Sequence, residues 1–370
     1  MSKYNIYFGP NDEFLDEMSD NVETLTLNEY ITLLDLARRD SDVKKQLDKE
    51  LNNYSAVVAE TNSYASITDN GINSFIDMIR PITLSNCSVF LQNPPKAIVN
   101  QLMKSFPEES SVKNLSYAPV TEQLVEDFVK EFDSKIIGQK DAGKDLAPAL
   151  YEASKNDNDK PTIVMLYGPS GVGKTETVKL ISSLLGRKYM REQMSMYQST
   201  DAYTYIFGGS HSDKSFARDL LNRDANVILL DEFDKANPTF YSAFYQFFDE
   251  GIFEDTNYKV TVGSPIIICT SNFSSINNIK NKLGEALFYR FDAFVKYKEL
   301  TKEVIDKLIV KIVGQQYKRI SDENRDLLPD ENDLINEYQK YSSSFNNYRS
   351  IEKIIRNDIN KRIVKEKFLI

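Results

Sequence analysis

The chain has 370 residues, 45 Lys and Arg against 55 Asp and Glu, a net charge of -10 and 41% apolar residues. That is a globular balance with material for two or three domains, and it lacks the dense basic face that phosphate-backbone binding requires. Two cysteines, Cys87 and Cys269, and a single histidine, His211, exclude a multi-bridge framework, a four-cysteine zinc site and any His-rich metal centre.

Residues 1–120 are polar. The stretch from Met1 to Met18 mixes apolar residues with Asp12, Glu13, Asp16 and Glu17, unlike a signal sequence. Ser88-Val-Phe-Leu-Gln92 predicts a strand closed by Asn93-Pro94-Pro95, with a helix over Ala97–Phe106 and a second strand over Val112–Tyr117. No internal repeat stands out, and no apolar run approaches the roughly 20 residues needed to cross a bilayer. Free thiols without a signal sequence fit a reducing compartment, so the expected location is cytoplasmic.

Residues 121–300 change texture. Compact apolar runs at Thr162–Tyr167, Val227–Leu230 and Pro265–Cys269 alternate with helix-like segments, which predicts a parallel sheet covered on both faces. Residues 301–370 read as helical. Val304, Ile305, Leu308, Ile309, Ile312 and Val313 form one stripe behind Thr301, a candidate N-cap, and Ile351, Ile354, Ile355, Ile359 and Ile363 form a second.

The strongest motif is Gly168-Pro169-Ser170-Gly171-Val172-Gly173-Lys174-Thr175, between the strand Thr162–Tyr167 and a helix expected at Glu176–Leu185. Glycines let backbone N–H groups curl around phosphates, and the helix N-terminus adds its positive end. In such a loop Lys174 reaches the β- and γ-phosphates and the Thr175 hydroxyl ligates Mg²⁺. The expected ligands are therefore ATP and Mg²⁺. Val227–Leu230 ends in Asp231-Glu232, which suits Asp231 to the Mg²⁺ shell and Glu232 to polarising an attacking water. The third strand ends in Thr270-Ser271-Asn272, where Asn272 is either a water-orienting group or a simple polar turn. Cys269 reads as a small buried apolar residue.

In order and spacing these elements resemble an AAA+ ATPase module of the Clp-type branch, close to the second ATPase module of the ClpB disaggregases, from about Pro119 to Ile370. The resemblance implies an α/β fold: a P-loop parallel sheet with helices on both faces, then a small all-α lid, preceded here by an α+β accessory region. The corresponding domains are 1–120, 121–300 and 301–370. Ile136-Ile137-Gly138-Gln139 resembles the segment that contacts adenine, making Ile137, Gly138 and Gln139 nucleotide-binding candidates. Asn272 falls at the sensor-1 position. Phe288-Tyr289-Arg290-Phe291-Asp292 makes Arg290 the candidate finger that reaches a neighbour's γ-phosphate, which implies a hexamer or other ring. Asn347-Tyr348-Arg349 stands where the family has Gly-Ala-Arg, so Arg349 is the candidate sensor-2 residue despite both replacements.

One stretch departs from the family. Phe207-Gly-Gly-Ser-His-Ser-Asp-Lys214 lies where threading members carry a pore aromatic, and it has none; torsin-like relatives share that loss. A loop histidine such as His211 is expected to be solvated, with a pore-facing place as the alternative. The resulting expectation is an ATP-hydrolysing ring that remodels a protein client. Its alternative is a nucleotide-dependent switch or scaffold acting on a dedicated partner. A nucleic-acid motor or loader is disfavoured by the acidic balance.

Overall fold

Strands buried on both faces need apolar side chains at every position, and the three apolar runs at the centre of the chain supply them. In a computed structural model, which describes residues 3–18, 23–37, 51–155, 160–197 and 202–368, those runs form the middle of a five-stranded parallel sheet. Its strands are β6 (Thr162–Tyr167), β7 (Met190–Gln193), β8 (Val227–Asp231), β11 (Ile266–Ser271) and β12 (Ala293–Lys296). They lie side by side as β12-β6-β11-β8-β7, and every pairing is parallel. All residues of β6, β8 and β11 are buried, while the edge strands β7 and β12 are partly open. Strands β9 (Ile252–Glu254) and β10 (Lys259–Thr261) form a separate antiparallel hairpin.

Five more strands precede these. They are β1 (Tyr4–Phe8), β2 (Thr24–Thr26), β3 (Ala56–Ala59), β4 (Ser88–Gln92) and β5 (Ser110–Asn114). Helices along the chain include α1 (Asn11–Asp16), α2 (Leu27–Ala37), α3 (Phe75–Thr83), α4 (Lys96–Ser105), α5 (Glu122–Lys135) and α6 (Lys140–Lys155). They continue as α7 (Lys174–Leu185), α8 (Phe216–Leu221), α9 (Ala243–Glu250), α10 (Ile276–Phe288), α11 (Lys302–Arg319), α12 (Glu331–Gln339) and α13 (Tyr348–Phe368).

Helices cover both faces of the central sheet. One face packs Ile163, Met165, Ile228 and Cys269 against Phe216, Phe244 and Phe247 of α8 and α9. The other packs Val164, Leu166 and Ile268 against Phe128, Phe132 and Leu146 of α5 and α6. The C-terminal helices share their own core, in which Ile305, Leu308, Ile309 and Ile312 of α11 meet Ile351, Ile355 and Ile359 of α13. Thr301 caps α11, its side chain accepting from the Val304 N–H. Ile354, expected in the second stripe, is instead 48% exposed, because the face of α13 that meets α11 is narrower than the stripe.

The N-terminal region also differs from expectation. The strand–helix–strand unit is present as β4, α4 and β5, with β5 two residues earlier than its expected start. In place of an α+β region there is an all-parallel five-stranded sheet, ordered β2-β3-β4-β1-β5. Its core of Tyr4, Ile6, Val57, Val89, Ile98 and Leu102 draws on short segments scattered through a polar sequence. Among the described residues no helix is long and apolar enough to cross a membrane.

Candidate active site

The strand order puts the ends of β6, β8 and β11 side by side, and parallel sheets place their ligand crevices at such carboxyl ends. A cavity of about 360 Å³ opens there. The phosphate loop and α7 form its floor, Asp231, Glu232, Thr270 and Asn272 one wall, and Arg349 with α11 the lid side.

The loop is shaped by glycine. Gly171 (φ 73°) and Gly173 (φ 116°) lie in left-handed backbone that side chains resist. A Cβ on Gly171 would come within 2.9 Å of Asn347 Cβ, and the Gly171 carbonyl accepts the Tyr348 N–H at 2.9 Å. The lid is thus hydrogen-bonded to the loop directly beside Arg349.

Lys174 is buried, and its Nζ donates to the carbonyls of Gly168 (2.6 Å) and Pro169 (2.7 Å) and to Asn272 Oδ1 (3.2 Å). Burial pushes its ammonium down to about 8, opposed by Asp231 and Asp234 and assisted by Arg349. A desolvated cation held by neutral oxygens, beside glycine amides where a Cβ would intrude, fits a phosphate chain.

The acidic wall is held in detail. Asp231 Oδ1 accepts from Thr270 Oγ1 at 2.6 Å, and Oδ2 pairs with Arg191 Nη2 at 2.6 Å. Glu232 has φ 53°, a strained value for a side-chain-bearing residue, and its N–H donates to Thr270 Oγ1 at 2.9 Å. Gln193 Nε2 donates to Glu232 Oε2 at 3.0 Å.

Known proteins resemble this chain in sequence and in fold. A family described as AAA domain (Cdc48 subfamily) matches residues 159–319. ClpB of Clostridium tetani is 29% identical over 272 residues, covering 64% of this chain and 31% of the relative. ClpL of Staphylococcus aureus is 28% identical over 264 residues, covering 59% and 37%. In sequence the chain resembles the Clp-type branch of the AAA+ family. It spans about a third of the length of these curated relatives. In fold it is similar to Hsp104 in a closed state with ATPγS and FITC casein, at a TM-score of 0.56 and 14% identity, covering 98% of this chain and 88% of that one. An extended S. cerevisiae Hsp104:casein complex gives 0.57 and 14%, covering 99% and 89%.

Within this cavity lie Ile137, Ser170, Gly171, Val172, Gly173, Lys174, Thr175, Asp231, Glu232, Asn272 and Arg349. Gly168 and Pro169 act from behind through the carbonyls that hold Lys174. Gly138 and Gln139 stand outside it. The Gln139 side chain is buried and clasps the Lys298 backbone, donating to its carbonyl at 2.8 Å and accepting its N–H at 2.9 Å. A Cβ on Gly138 would run into Val304. Gln139 therefore holds the segment after β12, Gly138 packs against the entry of the lid, and neither lines the cavity.

Arg290 also lies outside the cavity. Its Nε and Nη2 donate to Asp249 Oδ2 at 2.9 and 2.7 Å, and its guanidinium covers the Tyr245 ring at 4.8 Å. His211 is the clearest departure from expectation: it is buried, 3% exposed, and does not face solvent. Cys269 is fully buried, which pushes its thiol well above the ordinary range.

Arg191 and Gln193 line the cavity and hold the two acids, and the motifs left them out. They alternate along β7, whose register places Arg191 opposite Leu229 and Gln193 opposite Asp231. The signal available was that alternation next to the acidic strand, and β7 is too short and polar to announce itself.

Proposed function

We propose that this AAA+ chain binds MgATP in the cavity and hydrolyses it, and that it works as an oligomer on a protein client. The convergence of Lys174, Thr175, Asp231, Glu232, Asn272 and Arg349 on one cavity between sheet and lid carries this reading. Mg²⁺, held by Thr175 and Asp231, would neutralise charge on the β- and γ-phosphate oxygens. Lys174 binds the same oxygens as a point charge, exchanging the loop carbonyls it now holds. Asp231 must loosen its pair with Arg191 to serve a metal. Glu232 takes a proton from the attacking water once Gln193 yields its carboxylate, and Asn272 orients that water. Arg349 reports lid position to the phosphates, while Arg290, released from Asp249, reaches a neighbouring subunit's site. Residues 1–120 act as the accessory unit, 121–300 as the nucleotide-binding domain and 301–370 as the lid. Two buried thiols suit a cytoplasmic setting.

A second reading, a switch acting on one dedicated partner, is favoured by a specific observation. Residues 208–214 run where a pore loop would lie, and they are anchored within the same chain through His211. The test is a trap: the Glu232→Gln protein is held with ATP in cell extract and the bound material identified. Many unrelated polypeptides support a general remodeller, and one stoichiometric partner supports the switch. Failure of the purified protein to bind ATP at all overturns both.

A further inference from the structure

The two five-stranded sheets have the same topology. Ranked by order within each sheet, both run 2-3-4-1-5, and every pairing in both is parallel. The likeness continues to single residues. Strand β1 ends in Phe8-Gly9-Pro10 and β6 in Tyr167-Gly168-Pro169. Both glycines have positive φ, 149° and 133°. The Phe8 carbonyl accepts the Leu115 N–H at 2.7 Å, and the Tyr167 carbonyl accepts the Tyr297 N–H at 2.8 Å. A Cβ on Gly9 would strike Leu115, and one on Gly168 would strike Tyr297.

The register carries this correspondence across both sheets. Leu91 pairs with Ile6 and Ala59, as Cys269 pairs with Met165 and Leu230. One residue further, Glu60 takes the place of Asp231 and Thr61 that of Glu232. A side chain on the neighbouring strand receives the same backbone N–H in each: Thr61 donates to Gln92 Oε1 at 3.2 Å, Glu232 to Thr270 Oγ1 at 2.9 Å.

The departures fall at the ligand edge. Four residues, Ser170 to Gly173, separate Pro169 from α7, whereas α1 starts directly after Pro10 and opens with Asp12 and Glu13. Leu15, 45% exposed, stands at the spacing of Lys174, and Pro94 at that of Asn272. Phosphate would meet Glu13 and an Asp12 already paired with Arg187, with no lysine at the spacing of Lys174.

The edge is also filled. Asn93 is fully buried; its Oδ1 accepts the Gly9 N–H at 2.9 Å, and its Nδ2 shares hydrogens with the Gly9 carbonyl, Thr61 Oγ1 and the Leu221 carbonyl of α8. Arg218, also on α8, donates to the Thr61 carbonyl at 3.3 Å and Asn62 Oδ1 at 2.8 Å. His211 sets Nδ1 2.6 Å from Asp69 Oδ1 and Nε2 3.0 and 2.8 Å from the carbonyls of Tyr64 and Ile67. Oxygen partners thus face both ring nitrogens.

We infer that residues 3–115 are a second copy of the nucleotide-binding sheet whose ligand edge has become a docking surface for residues 208–221 of the same chain. The copy takes no nucleotide. It serves as an intramolecular clamp on the segment that would otherwise be free to enter a pore. This goes beyond the ATPase reading, and stands or falls on different residues.

Two measurements on the full chain test it. The first is equilibrium dialysis with radiolabelled ADP, on wild type and on Lys174→Ala. One nucleotide per chain falling to none is expected; any site that survives Lys174→Ala overturns the inference. The second is hydrogen exchange over residues 208–221. His211→Ala, and the milder Asp69→Asn at an exposed position, should each speed exchange there at least tenfold while leaving residues 162–175 unchanged. Unchanged protection in both variants overturns the clamp. Absence of nucleotide from the wild type would instead sink the ATPase reading, and the exchange data would still decide the clamp.

Discussion

The sheet of residues 3–115 and the sheet of residues 162–297 share strand order, register and the Gly-Pro turn after the first strand, yet their ligand edges differ. The difference is confined to the edge. Where the second sheet inserts Ser170 to Gly173 before a helix that starts on Lys174, the first goes straight into a helix carrying Asp12 and Glu13. Where the second leaves a cavity, the first packs Asn93 and receives α8. Topology is therefore compatible with chemistry in both and sufficient in neither; four loop residues and one lysine separate a site from a surface.

The largest expected effect lies in the acidic wall. Glu232→Gln should lower ATP turnover by about 10²–10⁴ while nucleotide affinity stays close to wild type, because the general base is lost and the phosphate grip is not. Glu60→Gln, at the position matching Asp231 in the first sheet, should leave turnover unchanged. Steady-state ATPase assays on the two proteins check this, and a comparable loss in both would break the contrast.

The working half of this comparison was legible in the sequence because its chemistry needs particular residues at particular spacings. Gly168 to Thr175, Asp231-Glu232 and the buried strands around them allow few substitutes. The lid was legible through the stripe of Ile305, Leu308, Ile309 and Ile312 and the Thr301 cap. The first sheet was not, since a docking edge can be built from many residue types. Its strands are short, β2 has outward Thr24 and Thr26, and Gly9-Pro10 without further glycines carries no motif. Residues acting by position were equally hidden. Arg191 and Gln193 matter only because β7 lies beside β8, and Gln139 has a structural role that its place in a motif masks. His211 illustrates the same point: a polar loop segment gave no sign that another part of the chain would bury it.

The paired glycines offer a sharper test at the next level of effect. Gly168→Ala and Gly9→Ala should each destabilise the fold by about 1–3 kcal/mol, since both demand positive φ and each sits against the residue just past the neighbouring edge strand, Tyr297 or Leu115. Only Gly168→Ala should also weaken nucleotide binding. Denaturation midpoints and binding isotherms separate the two, and a neutral Gly9→Ala would show that the turns are not equivalent. A smaller effect is expected at Gln193. Its amide occupies a Glu232 oxygen, and that hydrogen bond must open before the carboxylate can take a proton from water. Gln193→Leu should raise basal turnover several-fold with little change in affinity, and an unchanged or reduced rate would assign Gln193 to support of the active geometry.

The smallest effect concerns two half-buried carboxylates, Glu192 on β7 and Asp219 on α8, the helix held by the first sheet. Burial raises both Glu192 and Asp219 above the usual carboxylate range, and their hydrogen bonds from Tyr197 and Tyr205 offset this only in part. A carboxyl raised in the folded state keeps its proton to higher pH there than in the unfolded chain. From the usual carboxylate range upward, the folded protein therefore binds more protons, and stability falls as pH rises through that window. Asp219→Asn removes one such group and can still accept from Tyr205, whose hydroxyl lies 2.7 Å from Asp219 Oδ2. It also relieves Glu192, which the Asp219 charge pushes the same way. The variant should match or trail wild type at about pH 4.5 and gain on it steadily toward neutrality. Urea midpoints measured across that range would show the two curves diverging; parallel curves would mean that Asp219 is as well solvated in the fold as out of it.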